Sequence, residues 1–265
     1  MKKYALIGEK LSHSYSPLLH SEIFKDLNID ATYELLEVKE DELSKVIDNL
    51  KKGIYSGYNV TIPYKKVIMK YLDVITDEAK AIGAVNTISY KDGKVIGYNT
   101  DYYGFKETVI KNNIDVLNKD CYILGTGGAS LAVNKALIDL GAKVKYVSRN
   151  QIGKNIISYD DLYKIKNPYL VINTTPVGMY PNVSSSPLDS NYAKDIKYLI
   201  DIIFNPKKTK LMIDSNSNIN GLLMLVGQAI KAEEIWQDMK YEKSILDLLK
   251  RIEMMIWTIL VDFLE

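Results

Sequence analysis

Short apolar runs and longer stripes of helical period take turns along this chain, and their order predicts strands alternating with helices. Residues 4–8 read as a buried strand. Ser16-Pro17 marks a helix start, with serine as cap and proline in the first turn, where its missing N–H costs nothing. That helix is expected to end near Leu27. A strand follows over 32–38 and a helix over 40–51. The next strand, 58–61, closes at Pro63, and helices are predicted over 65–72 and 76–82. Asp92-Gly93, set between apolar runs at 85–90 and 95–98, is a hairpin signal.

The second half repeats a different rhythm. A helix is expected over 103–112 and a buried strand over 120–124. Gly125-Thr126-Gly127-Gly128-Ala129-Ser130 then turns into a helix that ends at Leu140-Gly141, and a strand follows at 143–147. Strand, glycine turn, helix and strand make one βαβ unit, which implies a parallel sheet covered by helices on both faces. Further strands fall at 169–173 and 198–202. Helices start near 222 and 244. Ile245, Leu248, Leu249, Ile252, Ile256 and Ile259 share one face of the last helix and should bury, with Met254, Met255, Trp257 and Phe263 around that face. The fold class is α/β, and 265 residues favour two domains.

Composition removes several classes of function. A net charge of +1, with basic residues scattered along the chain, lacks the footprint of a nucleic-acid binder. One cysteine excludes an internal disulfide, and with two histidines it leaves little for a zinc site, so no metal is expected. Cys121 lies in an apolar run and reads as a small buried thiol. The apolar run after Lys2-Lys3 is too short for a signal peptide, and 254–261 is too short to span a membrane. These features fit a reducing cytoplasm. Neither His13 nor His20 accompanies a patterned nucleophile, so neither builds a triad.

The glycine turn carries the first candidate chemistry. Gly125, Gly127 and Gly128 let the backbone bend and approach a pyrophosphate lying on a helix N-terminus. An NAD site normally places an acid at the end of the next strand for the ribose hydroxyls; here stand Ser148-Arg149-Asn150. A guanidinium suits a 2′-phosphate, which favours NADP(H).

The remaining motifs are short and polar: Ser12-His13-Ser14-Tyr15-Ser16-Pro17, Tyr58-Asn59-Val60-Thr61-Ile62-Pro63-Tyr64-Lys65, Gly83-Ala84-Val85-Asn86-Thr87 and Gly97-Tyr98-Asn99-Thr100-Asp101. With the glycine turn, Asn173-Thr174-Thr175-Pro176-Val177-Gly178-Met179 and the segment from Asn220-Gly221 to Gln228, they closely resemble the shikimate dehydrogenase family over nearly the whole chain. The resemblance implies a substrate-binding domain of residues 1–101 plus 222–265 and a shortened Rossmann-like NADP-binding domain of 102–221. It implies that Ser14 and Ser16 bind the substrate carboxylate. Asn59, Thr61, Asn86, Asp101 and Gln228 would surround the ring hydroxyls, with Lys65 and Asp101 as the catalytic pair. Gly125, Thr126, Gly127, Gly128, Ala129, Ser148, Arg149, Asn173, Thr174, Ile202 and Gly221 would hold the cofactor.

The implied chemistry is hydride transfer between NADPH and the 3-keto carbon of 3-dehydroshikimate, giving shikimate on the route to chorismate and the aromatic amino acids. Lys65 would donate the proton as negative charge develops on oxygen. Phe204 stands where the family usually has a substrate-contacting tyrosine, Leu223 where it commonly has glycine, and Tyr102 where it often has glycine. Only residues 150–168 separate Arg149 from the next strand, little room for the usual helix and strand, and 209–221 is likewise abbreviated. Two alternatives follow: a quinate/shikimate dehydrogenase that prefers NAD, and a non-catalytic ligand-binding protein on the same fold. Shikimate is the expected small-molecule partner, with no nucleic acid or membrane, and the protein itself a monomer or homodimer.

Overall fold

The computed structural model describes residues 1–11, 14–150 and 153–262, except for the side chains of the last four. His13, the side chain of Ile259 and Phe263 therefore lie outside the described residues. The chain forms two compact units, Met1–Thr100 with Val226–Glu265, and Asp101–Leu225.

The first unit begins with strand β1 (Lys2–Gly8), helix α1 (Ser16–Leu27), strand β2 (Ala31–Glu37), helix α2 (Leu43–Lys51) and strand β3 (Gly57–Val60). Strand β4 (Val74–Ile75), helix α3 (Asp77–Ile82) and strands β5 (Thr87–Lys91) and β6 (Lys94–Tyr98) follow. Their sheet has the order β2-β1-β3-β5-β6-β4. It is mixed: β2, β1 and β3 run parallel, and β5 is antiparallel to both β3 and β6. Side chains alternate across the pleat. Ala5, Ile7, Tyr58, Val60 and Ile88 pack with Leu43, Val46, Ile47 and Leu50 of α2 on one face.

The 65–72 segment departs from its predicted helix. It is a turn followed by a 3-10 helix over Val67–Tyr71. The Lys65 carbonyl accepts a 2.8 Å hydrogen bond from the Val85 N–H, so it is not available to the next helical turn. Ser16 likewise begins α1 rather than capping it; the Ser14 hydroxyl instead accepts the Ser16 N–H at 3.2 Å.

The second unit continues with helix α4 (Thr100–Lys111), strand β7 (Asp120–Leu124), helix α5 (Gly128–Asp139) and strands β8 (Lys143–Val147) and β9 (Ile156–Ile157). Helix α6 (Tyr159–Tyr163), strand β10 (Leu170–Asn173), helix α7 (Ser190–Lys194), strand β11 (Tyr198–Asp201) and helix α8 (Lys210–Ser215) complete its sheet and covering layer. The sheet, β11-β10-β7-β8-β9, is parallel throughout. Residues 150–168 do accommodate a strand and a helix, reduced to two and five residues. The 209–221 segment holds α8 and a single parallel bridge between Ile200 and Ile219. The sheet has five strands among the described residues.

Two helices end the chain, α9 (Leu222–Gln237) and α10 (Ile245–Asp262). Trp236 of α9 lies over Gly57: a Cβ there would stand 2.3 Å from the indole nitrogen, which donates to the Ile88 carbonyl at 3.0 Å. The same indole stacks on Tyr4 at 4.6 Å. Leu248, Ile252 and Ile256 of α10 are buried, and Arg251 bonds Asp26 of α1 at 2.6 Å. Met254, two residues from Ile256 and so about 200° around the helix, faces solvent instead. Cys121 is fully buried, its thiol pushed up to about 12 by burial. No helix among the described residues is long and apolar enough to cross a membrane.

Asp201, at the end of β11, is a carboxylate in the second sheet's interior that burial pushes strongly up, to about 6. Thr209 donates to it at 2.7 Å, and the Ile203 N–H and Asn173 Nδ2 each donate at 3.1 Å. Its folded value lies above its ordinary 3.8, so the native state binds the extra proton between roughly pH 4 and pH 6. This group therefore lowers stability as pH rises through that window, by on the order of 3 kcal/mol when fully ionised. Urea unfolding of wild type and Asp201→Asn at pH 4 to 7 should show the difference between them drifting across this window and levelling above it. A pH-independent difference would refute the assignment.

Candidate active site

Four strand ends meet along one edge of the first sheet. The carboxyl ends of β1, β3 and β6 lie there, and β5 brings its amino end to them because it runs antiparallel to its neighbours. In register, Asn59 pairs with Thr87 and Thr87 with Tyr98. This places Asn59, Asn86 and the start of α4 side by side, although 41 positions separate Asn59 from Thr100.

Buried polar groups must find partners, and this edge satisfies its own. Asn59 Nδ2 donates to the Asn86 carbonyl at 3.2 Å and to Thr87 Oγ1 at 3.0 Å. Asn59 Oδ1 accepts from the Tyr33 phenol at 2.7 Å. Asn86 Oδ1 accepts from the Thr100 N–H at 2.6 Å and from the Thr87 and Thr100 hydroxyls at 3.2 Å each. Both Asn59 donors are thus spent within the protein, whereas Asn86 keeps its Nδ2 protons uncommitted among the described residues. Thr100 opens α4, so Asp101 sits in a first helical turn that Asn86 anchors.

The other predicted residues of this unit surround that edge. Thr61 follows β3, its N–H donating to the Ile7 carbonyl at 2.9 Å and its methyl lying over Gly8. Lys65 is part-buried in the turn beyond, fixed by its carbonyl bond to Val85 and by buried Tyr64, whose hydroxyl donates to the Val38 carbonyl at 2.6 Å. Ser14 and Ser16 are part-buried at the head of α1. Ser14 Oγ accepts an N–H, which leaves its own proton to donate. Gln228 is buried on α9.

In the second unit the turn after β7 has the features a pyrophosphate cradle requires. Gly125 has φ +93°, and a Cβ there would meet the Thr175 methyl at 2.9 Å. Gly127 and Gly128 are exposed, with nothing within 4 Å of where their Cβ atoms would stand. They open α5, a 12-residue helix; Thr126 and Ala129 flank them, part-buried. Ser130 donates to the Gly127 carbonyl at 2.6 Å, and Thr174 to the Leu124 carbonyl at 2.6 Å. Asn173 Oδ1 accepts from the Thr175 N–H and hydroxyl at 3.0 and 2.7 Å, which shapes the neighbouring loop.

Arg149 is exposed just beyond β8, and Ser148 is tied to β9 by a 3.0 Å bond to the Ile157 carbonyl. Arg149 draws the Tyr159 phenol down against the larger upward push of burial. Gly221 lies against the Ile202 carbonyl, where a Cβ would stand 1.8 Å from the oxygen. Phe204 is part-buried and Leu223 buried. No group of three His, Cys, Asp or Glu side chains converges as a metal site among the described residues.

Sequence reasoning left Tyr33, Thr87, Thr100 and Tyr159 without roles. The adjacent motifs containing Thr87 and Thr100 carried a signal, since both follow an asparagine at a strand end. Tyr33 and Tyr159 gave none.

Residues 6–88 match the family described as shikimate dehydrogenase substrate binding domain. The shikimate dehydrogenase (NADP(+)) of Clostridium beijerinckii is 47% identical over 258 residues, covering 92% of this chain and 95% of that protein. The crystal structure of shikimate dehydrogenase 1 from Peptoclostridium difficile superposes with a TM-score of 0.84 at 45% identity, over 96% of this chain and 98% of that one. The Thermus thermophilus shikimate 5-dehydrogenase, whose crystal holds NADP(H) and shikimate, has a TM-score of 0.84 at 27% identity, over 95% and 100% of the two chains. Full-length identity of this order and both sheets in their expected places lead to one conclusion: the chain belongs to the shikimate dehydrogenase family.

Proposed function

We propose that this chain catalyses the reversible NADPH-dependent reduction of 3-dehydroshikimate to shikimate, a step towards chorismate and the aromatic amino acids. The observation that carries the reading is 47% identity, over 92% of the chain, to an NADP(+)-dependent shikimate dehydrogenase. The first unit would bind the ring acid and the second the dinucleotide.

The nicotinamide, when bound, exchanges the hydride. Everything else falls to the chain. Ser14 and Ser16, beside one another at the head of α1, donate hydroxyl protons to the substrate carboxylate. Asn86 Nδ2, Thr61 and Gln228 order the ring hydroxyls. Asn59, whose amide protons are consumed by Asn86 and Thr87, contributes only its remaining Oδ1 lone pair. Lys65 stabilises the developing alkoxide and delivers the proton, and Asp101 is the second catalytic group. In the oxidative direction the neutral amine takes the hydroxyl proton.

The glycine turn fits the dinucleotide because Gly127 and Gly128 offer open backbone at the head of α5. Gly125, Thr126, Ala129, Asn173, Thr174, Ile202 and Gly221 shape the remainder of that site. Ser148 and Arg149 take the adenosine 2′-phosphate, a planar guanidinium on an anion.

Two outcomes are expected. Lys65→Ala should lower shikimate oxidation by at least about 10³-fold, the upper range for a positioned acid–base, with circular dichroism unchanged; retained turnover would refute the role. Arg149→Ala should raise the KM for NADP about 10- to 100-fold, one charge-assisted contact, and leave that for NAD nearly unchanged. Equal effects on both would remove Arg149 from the phosphate. Dinucleotide titration followed by fluorescence also separates an enzyme from a binding protein, which would take shikimate alone.

A further inference from the structure

Asp101, one of the proposed catalytic pair, stands where the chain passes from the first unit to the second. The residue before it is held within the first unit, by the 2.6 Å bond from the Thr100 N–H to Asn86 Oδ1. The residue after it is Tyr102, a large side chain that the proposed chemistry does not use. Its exposure is only 7%, so its ring is built into the structure.

The far end of that ring is tied to α5. The Tyr102 phenol donates to Asp139 Oδ2 at 2.7 Å, 37 positions along the chain. Asp139 is the last residue of α5, and Lys135, one turn earlier, holds both oxygens of the same carboxylate at 2.6 Å. Against the upward push of burial, Lys135 and Tyr102 keep the Asp139 carboxyl below its ordinary range. It is therefore an ionised, acceptor-only group at neutral pH, and it gives the phenol proton one direction to point. The ammonium groups of Lys106, one turn along α4, and of Lys135 lie 5.8 and 5.9 Å from the centre of the phenol ring, within reach of its negative face. Both helices thus grip the same ring.

We propose that Tyr102 is a positioning residue for Asp101, which ties the start of α4 to the helix that carries the proposed dinucleotide turn at its head. The proposal rests on the reading of Asp101 as a catalytic group. A first helical turn frays readily, because its N–H groups have no partners within the helix. The bond at Thr100 restrains Asp101 from one side only. With Tyr102 fixed as well, Asp101 is bracketed by two anchored neighbours and its backbone has little freedom left. Successive helical residues point about 100° apart, so Tyr102 reaches α5 while Asp101 faces elsewhere. A reacting group displaced by about 1 Å loses rate, and rate is where the effect of Tyr102 belongs.

Tyr102→Phe removes one oxygen and keeps the ring. The measurement is the single-turnover rate of shikimate oxidation, followed by reduced-nicotinamide absorbance, which slow product release does not mask. That rate should fall about 5- to 20-fold, with the shikimate KM and the Kd for NADP from fluorescence titration within about 2-fold of wild type. An unchanged rate, or a change confined to KM or Kd, overturns the proposal. A double-variant cycle separates positioning from general damage. Asp101→Asn alone should lower the rate about 10²-fold or more. Adding Tyr102→Phe to it should cost less than about 2-fold further, because the group being positioned is already disabled. Losses that multiply overturn the proposal. Asp139→Ala removes the acceptor from the other side and should reproduce the loss. A wild-type rate there overturns the proposal even where Tyr102→Phe fails to fold. Asp101→Asn at full rate sinks the catalytic reading of Asp101 and this proposal together. A slowed Asp101→Asn beside an undiminished Tyr102→Phe overturns this proposal alone.

Discussion

The first unit depends on one constraint: a row of buried polar side chains at a sheet edge has to satisfy itself and still present donors outward. Asn86 Oδ1 meets much of that demand by accepting from the Thr100 backbone and from two threonine hydroxyls. An oxygen used this way fixes which end of the amide faces away from the network, and that donor end is the one the proposed function assigns to the substrate. Were β5 parallel to β3, Asn86 and Thr87 would stand at the opposite edge, far from Asn59. The antiparallel insertion in an otherwise parallel half-sheet is therefore what assembles the site, and the hairpin at Asp92-Gly93 reverses the chain to allow it.

The second unit meets a different demand with a different device. In the proposed function the turn after β7 takes a dinucleotide, which needs bare backbone, and Gly125, Gly127, Gly128 and Gly221 would provide it by what they lack. Rigidity must then come from the residues around them. Asn173 and Asp201 supply it at the ends of β10 and β11, where one amide and one carboxylate tie together the Thr175 loop, the Ile203 N–H and the Thr209 cap of α8. Soft turns sit on a stiff polar seam.

Much of this was legible beforehand, and the reasons are local. The strand at β7, its glycine turn and α5 follow from apolar run, glycine spacing and helical stripe, all within twenty residues. The two-residue strands β4 and β9 are too short to carry a period, and α6 and α8 are little longer than one turn. The turn at Lys65 escaped because its carbonyl is claimed by Val85, twenty positions away, and no local propensity records such a bond. The same limit hid Tyr33. A tyrosine on a strand looks like any half-buried aromatic until α1 and α9 bring His20 and Glu233 beneath it, and 213 positions separate those two residues. The motif residues proposed for the site stood out in the sequence, whereas the residues bonded to them did not.

The seat of Trp236 on Gly57 has a consequence for how the molecule is made. The face of the first sheet bearing Tyr4 and Gly57 is closed by α9, yet the chain between them, 101–225, builds the whole second unit. At ribosomal speeds that segment takes roughly ten seconds to synthesise. During that interval the nascent first unit lacks its closing indole, the Glu233 partner of His20 and the Arg251 partner of Asp26. The second unit, contiguous in sequence, is under no such delay. Order of emergence thus makes the later-encoded unit the first to complete, and leaves the proposed substrate-binding unit open until its last forty residues arrive.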